Sequence, residues 1–212
     1  MIKDNLSALI QSIPSTVTLV AVSKTKPVEN LLEAYEAGQR DFGENKVQEL
    51  VDKASELPRN IRWHMIGHLQ RNKVKYIAPF VSLIHSVDSI RLLNEIDRQG
   101  KKNDRVIDCL LQVRIAHEKT KFGLTFQSCD EILNQNNYTH VRICGLMGMA
   151  SFTDNQLQIE SEFKSLAKYY NQYQDHYGWN ILSMGMSGDY PVALSCGSTM
   201  IRVGSRIFGS RN

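Results

Sequence analysis

Thr18-Leu-Val-Ala-Val-Ser-Lys24-Thr-Lys-Pro27 is an apolar, β-branched run that stops on a lysine and then a proline. Its length and near-continuous hydrophobicity fit a strand buried on both faces. Pro27 suits the first turn of a following helix, where its missing N–H costs nothing. A lysine that closes such a strand can form a Schiff base with an aldehyde. The far end of the chain offers a complement. There, Ser183-Met-Gly-Met-Ser-Gly188 is followed by Gly197-Ser-Thr-Met-Ile-Arg-Val-Gly-Ser205. Small residues and exposed backbone N–H groups in such loops can hold a phosphate. Together the two stretches point to a phosphorylated aldehyde, of which pyridoxal 5′-phosphate (PLP) is the obvious case.

The same β-then-α punctuation runs from end to end. Strand candidates cover 17–23, 40–43, 62–66, 81–86, 106–114, 141–147, 180–184 and 200–204. The clearest helix is 155–176, where Phe163, Leu166, Ala167 and Tyr170 share one face. A second covers 89–99, with Asp88 as its expected N-cap. Asp52 and Lys53 are expected on a solvated helix face. Strands alternating with helices imply a parallel sheet. At about 25 residues per unit, the expected fold is an α/β single (β/α)8 TIM-type barrel. An open doubly wound sheet is the alternative. No linker-like or low-complexity tract interrupts the chain, so residues 1–212 are expected to form one domain.

Composition removes several function classes. A formal net charge of +3, with no basic run interleaved with aromatics, argues against a nucleic-acid partner. The start, Met1-Ile-Lys-Asp-Asn, lacks the apolar core of a signal peptide, and no apolar run approaches a membrane span. No membrane association and a cytoplasmic location are therefore expected. Cys109, Cys129, Cys144 and Cys196 form no C-x-x-C pair, and buried free thiols are the expectation for most of them. No Walker loop or G-x-G-x-x-G supports nucleotide binding.

In such barrels the reactive groups stand where the strands end. Lys24 would stand there, activated by partial burial or by a neighbouring cation such as Lys26. The phosphate site would use the loops after the seventh and eighth strands. These supply Met186, Ser187 and Gly188, then Gly204 and Ser205. Arg202 lies between Ile201 and Val203 on the last strand, so alternation turns it to the opposite face from both. There it could bind the phosphate, face a pyridine nitrogen, or pair with a carboxylate at the barrel end. Asn45 follows Asp41-Phe-Gly-Glu44 as a further mouth residue. His64 and His68 have the spacing of a helical metal pair, but Gly67 and the β-rich context favour a strand and a turn. They are expected to be hydrogen-bonded structural histidines.

The set of motifs resembles the YggS/PROSC family of PLP-binding proteins, also called pyridoxal phosphate homeostasis proteins. The resemblance rests on Ala21–Pro27, Phe42-Gly-Glu-Asn45, Trp63–Gln70 with Asn72-Lys73, and Lys121-Phe-Gly123. It continues through Gly145-Leu-Met147, Ser183–Ser187 and Gly197–Gly204 to Ile207-Phe-Gly209, in order over nearly the whole chain. It implies a PLP-binding barrel related to the N-terminal domain of alanine racemase. Lys24 matches the lysine that carries PLP as an internal aldimine. Ser187, Gly204 and Ser205 match the phosphate-binding region, with Met186 beside them. Arg202 matches the arginine near the pyridine nitrogen, and Asn45 an asparagine close to the cofactor. Arg114 departs from the family, which more often has asparagine there, and Ser205 replaces a more usual threonine.

The resemblance implies PLP supply and homeostasis rather than an established catalytic activity. The chemistry agrees. An arginine opposite the ring nitrogen leaves that nitrogen unprotonated, so the ring is a weak electron sink. Alanine-racemase-type enzymes also use a tyrosine base from a second, β-rich domain, and no second domain is expected in a chain ending at Asn212. The expected function is thus a non-catalytic PLP carrier, acting as a monomer and serving PLP-dependent apo-enzymes. A narrow-scope PLP-dependent racemase and a cofactor-free Schiff-base aldolase are the alternatives.

Overall fold

The computed structural model describes residues 1–116, 122–135 and 137–209. Eight parallel strands close into a barrel in chain order. They are β1 (Thr18–Val22), β2 (Asp41–Glu44), β3 (Arg62–Met65), β4 (Leu83–Val87), β5 (Ile107–Val113), β6 (Val141–Gly148), β7 (Ile181–Ser183) and β8 (Met200–Val203). Each lies where the apolar runs predict, its ends shifted by a residue or two. The pairing of β1 with β8, from Thr18 opposite Met200 to Ala21 opposite Val203, closes the ring and excludes the open sheet.

The helices among the described residues are α1 (Ile2–Ser12), α2 (Val28–Glu36), α3 (Val47–Glu56), α4 (Val74–Ile77), α5 (Ile90–Lys102), α6 (Phe126–Asn134), α7 (Gln156–Tyr177), α8 (Tyr190–Ser195) and α9 (Ser205–Phe208). In α7 the four predicted face residues are all buried. Asn155 caps its first turn by accepting from the Gln158 N–H, and Gly178 ends it in the left-handed conformation. Two boundary expectations need correction. Ser89, not Asp88, caps α5, because the helix starts at Ile90 and the Ser89 side chain accepts from the Leu92 N–H; Asp88, one residue earlier, meets His68 Nδ1 at 3.0 Å. Pro27 sits one residue ahead of α2, as its N-cap. No helix among the described residues is long and apolar enough to cross a membrane.

Strand alternation builds two apolar layers. Val20, Leu83, Leu110, Cys144, Met147 and Met200 fill the barrel interior. Leu19, Ala21, Phe42, Ile84 and Leu111 point outward against the helices in a larger core. Burying each leucine-sized side chain stabilises the fold by about 1.5–3 kcal/mol. β6 carries a bulge at Cys144, where the register against β5 shifts. Gly145 serves it with a φ of 148°, and a Cβ there would lie 1.8 Å from the Ile181 carbonyl oxygen. Cys109, Cys129 and Cys144 are buried free thiols, whereas Cys196 is half-buried. Burial pushes Cys129 up to about 12 and Cys144 up to about 11, so neither is a thiolate at neutral pH.

Candidate functional site

β1 delivers Lys24 to the C-terminal mouth of the barrel, and the loop that holds it is tied down from below. The Ser23 N–H donates to the Gly43 carbonyl at 3.1 Å, and the Thr25 N–H to Glu49 Oε1 at 2.6 Å. Thr25 has a φ of 64°, which a side-chain-bearing residue seldom adopts. Beneath this loop lies a buried ionic cluster. Lys53 Nζ donates to Glu44 Oε1 at 2.7 Å, Glu49 Oε1 at 2.7 Å and the Ser23 carbonyl at 2.8 Å. Ser23 Oγ donates to Glu44 Oε1 at 2.6 Å. Lys53 is therefore no part of a solvated face, contrary to expectation. Helix α3 turns it inward, towards a carboxylate from β2 that is wholly excluded from water. Burial is the main influence on Glu44 and raises its pKa, while Lys53 and Ser23 oppose the rise.

The opposite wall comes from the last two strands. After β7 the chain turns at Met186, whose N–H donates to Asp189 Oδ1 at 2.6 Å. The Gly204 N–H donates to Ser187 Oγ at 3.2 Å, joining the two glycine-bearing loops. α9 begins immediately afterwards at Ser205. The leading N–H groups of a helix lack intrahelical partners and suit an anion.

Arg202 lies 3% exposed on the inner face of β8. Its Nη1 donates to Ser183 Oγ at 2.6 Å and its Nη2 to the Gly148 carbonyl at 3.1 Å. Burial lowers its pKa to about 10, with Asp189 opposing, so it stays cationic at neutral pH. Among the described residues it forms no ion pair, which removes the barrel-end salt bridge from the readings of this arginine.

Lys24, Asn45, Met186, Ser187, Arg202, Gly204 and Ser205 all line one cavity of about 530 Å³. That size is ordinary for a cofactor site. Asn45 Oδ1 is buried with no hydrogen-bond partner among the described residues, an acceptor that a ligand donor would satisfy. Its backbone is fixed by Gly67, where a Cβ would fall 2.3 Å from the Asn45 carbonyl oxygen. An amine, a cationic floor, small-residue loops and an orphaned amide oxygen fit PLP.

Other lining residues escaped the sequence reading. Gln112 reaches the wall from β5 and donates to the Phe122 carbonyl at 3.1 Å. It shares a strand face with Leu110, so alternation was the available signal. His68 stacks on Phe122, ring centroids 4.1 Å apart, at one edge of the mouth. Arg114 is exposed just past β5 and does not line this cavity. Lys121 lies outside the described residues. A larger, more open groove of about 670 Å³ runs outside the barrel past His68, Arg71 and Arg91. It has neither a strand-end lysine nor a glycine-rich loop.

His64 and His68 occupy a strand and the turn after it. His64 contacts Asp41 and His85, and His68 contacts Asp88. Among the described residues no three His, Cys, Asp or Glu side chains stand together as a metal site would require.

Comparison with known proteins decides the family. The alanine racemase N-terminal domain matches residues 1–212. A pyridoxal phosphate homeostasis protein of Synechocystis is 39% identical over 212 residues, covering 97% of this chain and 96% of its own. The chain belongs to the alanine racemase N-terminal domain family, among its pyridoxal phosphate homeostasis proteins. A second homeostasis protein, from Haemophilus influenzae, is 37% identical over 205 residues, covering 93% of this chain and 86% of its own. Among solved structures, PipY of Synechococcus elongatus with PLP bound superposes with a TM-score of 0.91 at 36% identity. The match covers 99% of this chain and 100% of PipY. Alanine racemase of Clostridium difficile shares the fold at a TM-score of 0.84 but only 13% identity, and the match covers 56% of that enzyme.

Proposed function

We propose that this chain binds PLP at the mouth of its barrel and helps hold the supply of that cofactor in balance. The observation that carries the reading is the convergence of all seven predicted residues on one cavity, in a chain 36% identical to a protein solved with PLP bound. Lys24 would hold the cofactor through its side-chain amine. Ser187, Gly204, Ser205 and the start of α9 hold the phosphate, with Met186 alongside. Arg202 would hold the ring from the cavity floor, on the side of its nitrogen, and Asn45 would offer its orphaned oxygen. When bound, the cofactor supplies an electrophilic aldehyde and an electron-withdrawing ring.

The arrangement suits a carrier. Arg202 is a permanent cation with its donors already directed, so it does not protonate the ring nitrogen as a carboxylic acid would. Residues 1–212 act as one monomeric domain in the cytoplasm, delivering PLP to apo-enzymes that need it. An absorbance scan of protein incubated with PLP tests the reading. A band near the visible edge is expected, absent from Lys24→Ala. Borohydride reduction followed by mass spectrometry should place the modification on Lys24. A protein that no added PLP can colour refutes the assignment. Fast α-proton exchange of amino acids in deuterated water would replace the carrier with a narrow-scope racemase.

A further inference from the structure

The interior of this barrel is crossed by a polar chain. Arg202 Nη1 contacts Ser183 Oγ at 2.6 Å, and Ser183 Oγ contacts His85 Nδ1 at 3.0 Å. His85 Nε2 contacts His64 Nδ1 at 2.9 Å, and His64 Nε2 contacts Asp41 Oδ1 at 3.0 Å. Asp41 in turn pairs with Arg62, at 2.7 Å and 2.5 Å. The side chains come from β8, β7, β4, β3 and β2. Ser183 and His85 are fully buried, and His64 and Arg202 are each 3% exposed. One end of the chain is at the cavity that holds Lys24. The other is at the opposite rim, where the exposed Arg62 meets Asp41.

Asp41 fixes its own link, with His64 donating, and the remaining links follow once each imidazole carries one proton. A guanidinium only donates, and an ionised carboxylate only accepts. Asp41 is ionised. Burial raises its pKa, but hydrogen bonds from His64 and Arg62 outweigh that and hold it at about 2. Burial drives His85 well below the usual histidine range, so it is neutral. With one proton on each imidazole, a single arrangement satisfies all contacts. His64 donates from Nε2 to Asp41 and accepts at Nδ1. His85 donates from Nε2 to His64 and accepts at Nδ1 from the Ser183 hydroxyl. The Ser183 oxygen accepts from Arg202.

We propose that Ser183, His85 and His64 are positioning residues, a one-way hydrogen-bond chain anchored on Asp41 that fixes the Arg202 guanidinium at the cavity floor. The Gly148 carbonyl holds Nη2 at 3.1 Å, but that single contact and the surrounding alkyl wall leave the guanidinium free to pivot about it. Reversing any link would leave two donors or two acceptors facing each other in a water-free core, which is costly. The fixed orientation is what Arg202 presents to any bound ring, and only that last step rests on the PLP reading.

Two measurements test the proposal. Nitrogen-15 NMR of histidine-labelled, cofactor-free protein should show His64 and His85 as Nε2–H tautomers. Either ring protonated on Nδ1 at neutral pH overturns the assignment, whether or not PLP ever binds. In the second, Ser183→Ala should retain PLP about tenfold more weakly and shift the absorption of the bound cofactor, with Ser183→Thr restoring both. Unchanged affinity and spectrum in Ser183→Ala, in a protein whose parent binds PLP, also overturns it. A parent that binds no PLP would sink the functional reading and leave the NMR result to judge the chain.

Discussion

Lys53→Met separates a buried ionic cluster from an ordinary surface lysine. The side chain is 7% exposed and its partner Glu44 is 0% exposed. The substitution keeps the alkyl stem and removes three donated bonds, to Glu44, Glu49 and the Ser23 carbonyl. Glu44 Oε1 is left with Ser23 alone, and Glu44 Oε2 has no partner even in the parent. Removing one member of a buried pair costs about 3–5 kcal/mol, mostly from the stranded charge. A surface lysine would cost less than about 0.5 kcal/mol. For a chain of this length the loss corresponds to a fall in Tm of roughly 6–20 °C. Urea unfolding followed by tryptophan fluorescence would read it, since Trp63 and Trp179 are both buried.

The deficit should depend on pH with a definite sign. Burial already raises the folded pKa of Glu44 above 4.5, and losing Lys53 raises it further. A raised carboxyl favours the folded state below its unfolded pKa, and that contribution is lost as pH rises through the folded value. The stability gap between variant and parent should therefore narrow as pH falls from about 8 towards 5. Lys53→Met combined with Glu44→Leu should recover most of the loss by removing the stranded charge. A single variant within about 0.5 kcal/mol of the parent, or a gap that widens in acid, would refute the buried-cluster account.

Arg202→Ala should weaken PLP retention more than Lys24→Ala, because phosphate and ring contacts hold the cofactor without the covalent link; equilibrium dialysis giving the opposite order would count against this. Gly67→Ala should displace Asn45, since its Cβ would meet the Asn45 carbonyl oxygen at 2.3 Å. A stability loss of about 1–3 kcal/mol with weaker PLP binding is expected, and unchanged values would show that the loop gives way freely. Asp41 is held at about 2, below its usual 3.8. Its contribution is present above pH 3.8 and lost as pH falls towards 2, so Asp41→Asn should cost stability at neutral pH and little near pH 2. Equal losses at both pH values would exclude this linkage.

Much of the fold was legible because its signals are local. Apolar runs at regular spacing mark buried parallel strands, and the face of α7 is written in the spacing of Phe163, Leu166, Ala167 and Tyr170. Lys24 and the loops around Ser187 and Gly204 were legible for a related reason. A strand end in a closed barrel has a known place, so position along the chain translates directly into position in space. Alternation along β8 and the end of β2 placed Arg202 and Asn45 as well, and the family's motifs added their roles.

Hidden from that reading was everything whose meaning lies in a distant partner. Lys53 looked like a solvated residue beside Asp52, because nothing nearby announces the buried Glu44 from another element. Asp88 stands one residue ahead of the cap and instead meets His68, 20 residues earlier in the chain. His85 and Ser183 meet across 98 residues of chain, and only barrel closure brings them within hydrogen-bonding distance. Periodicity records which face a side chain takes, whereas the polarity of a water-free interior depends on which donors and acceptors the folded strands bring into register.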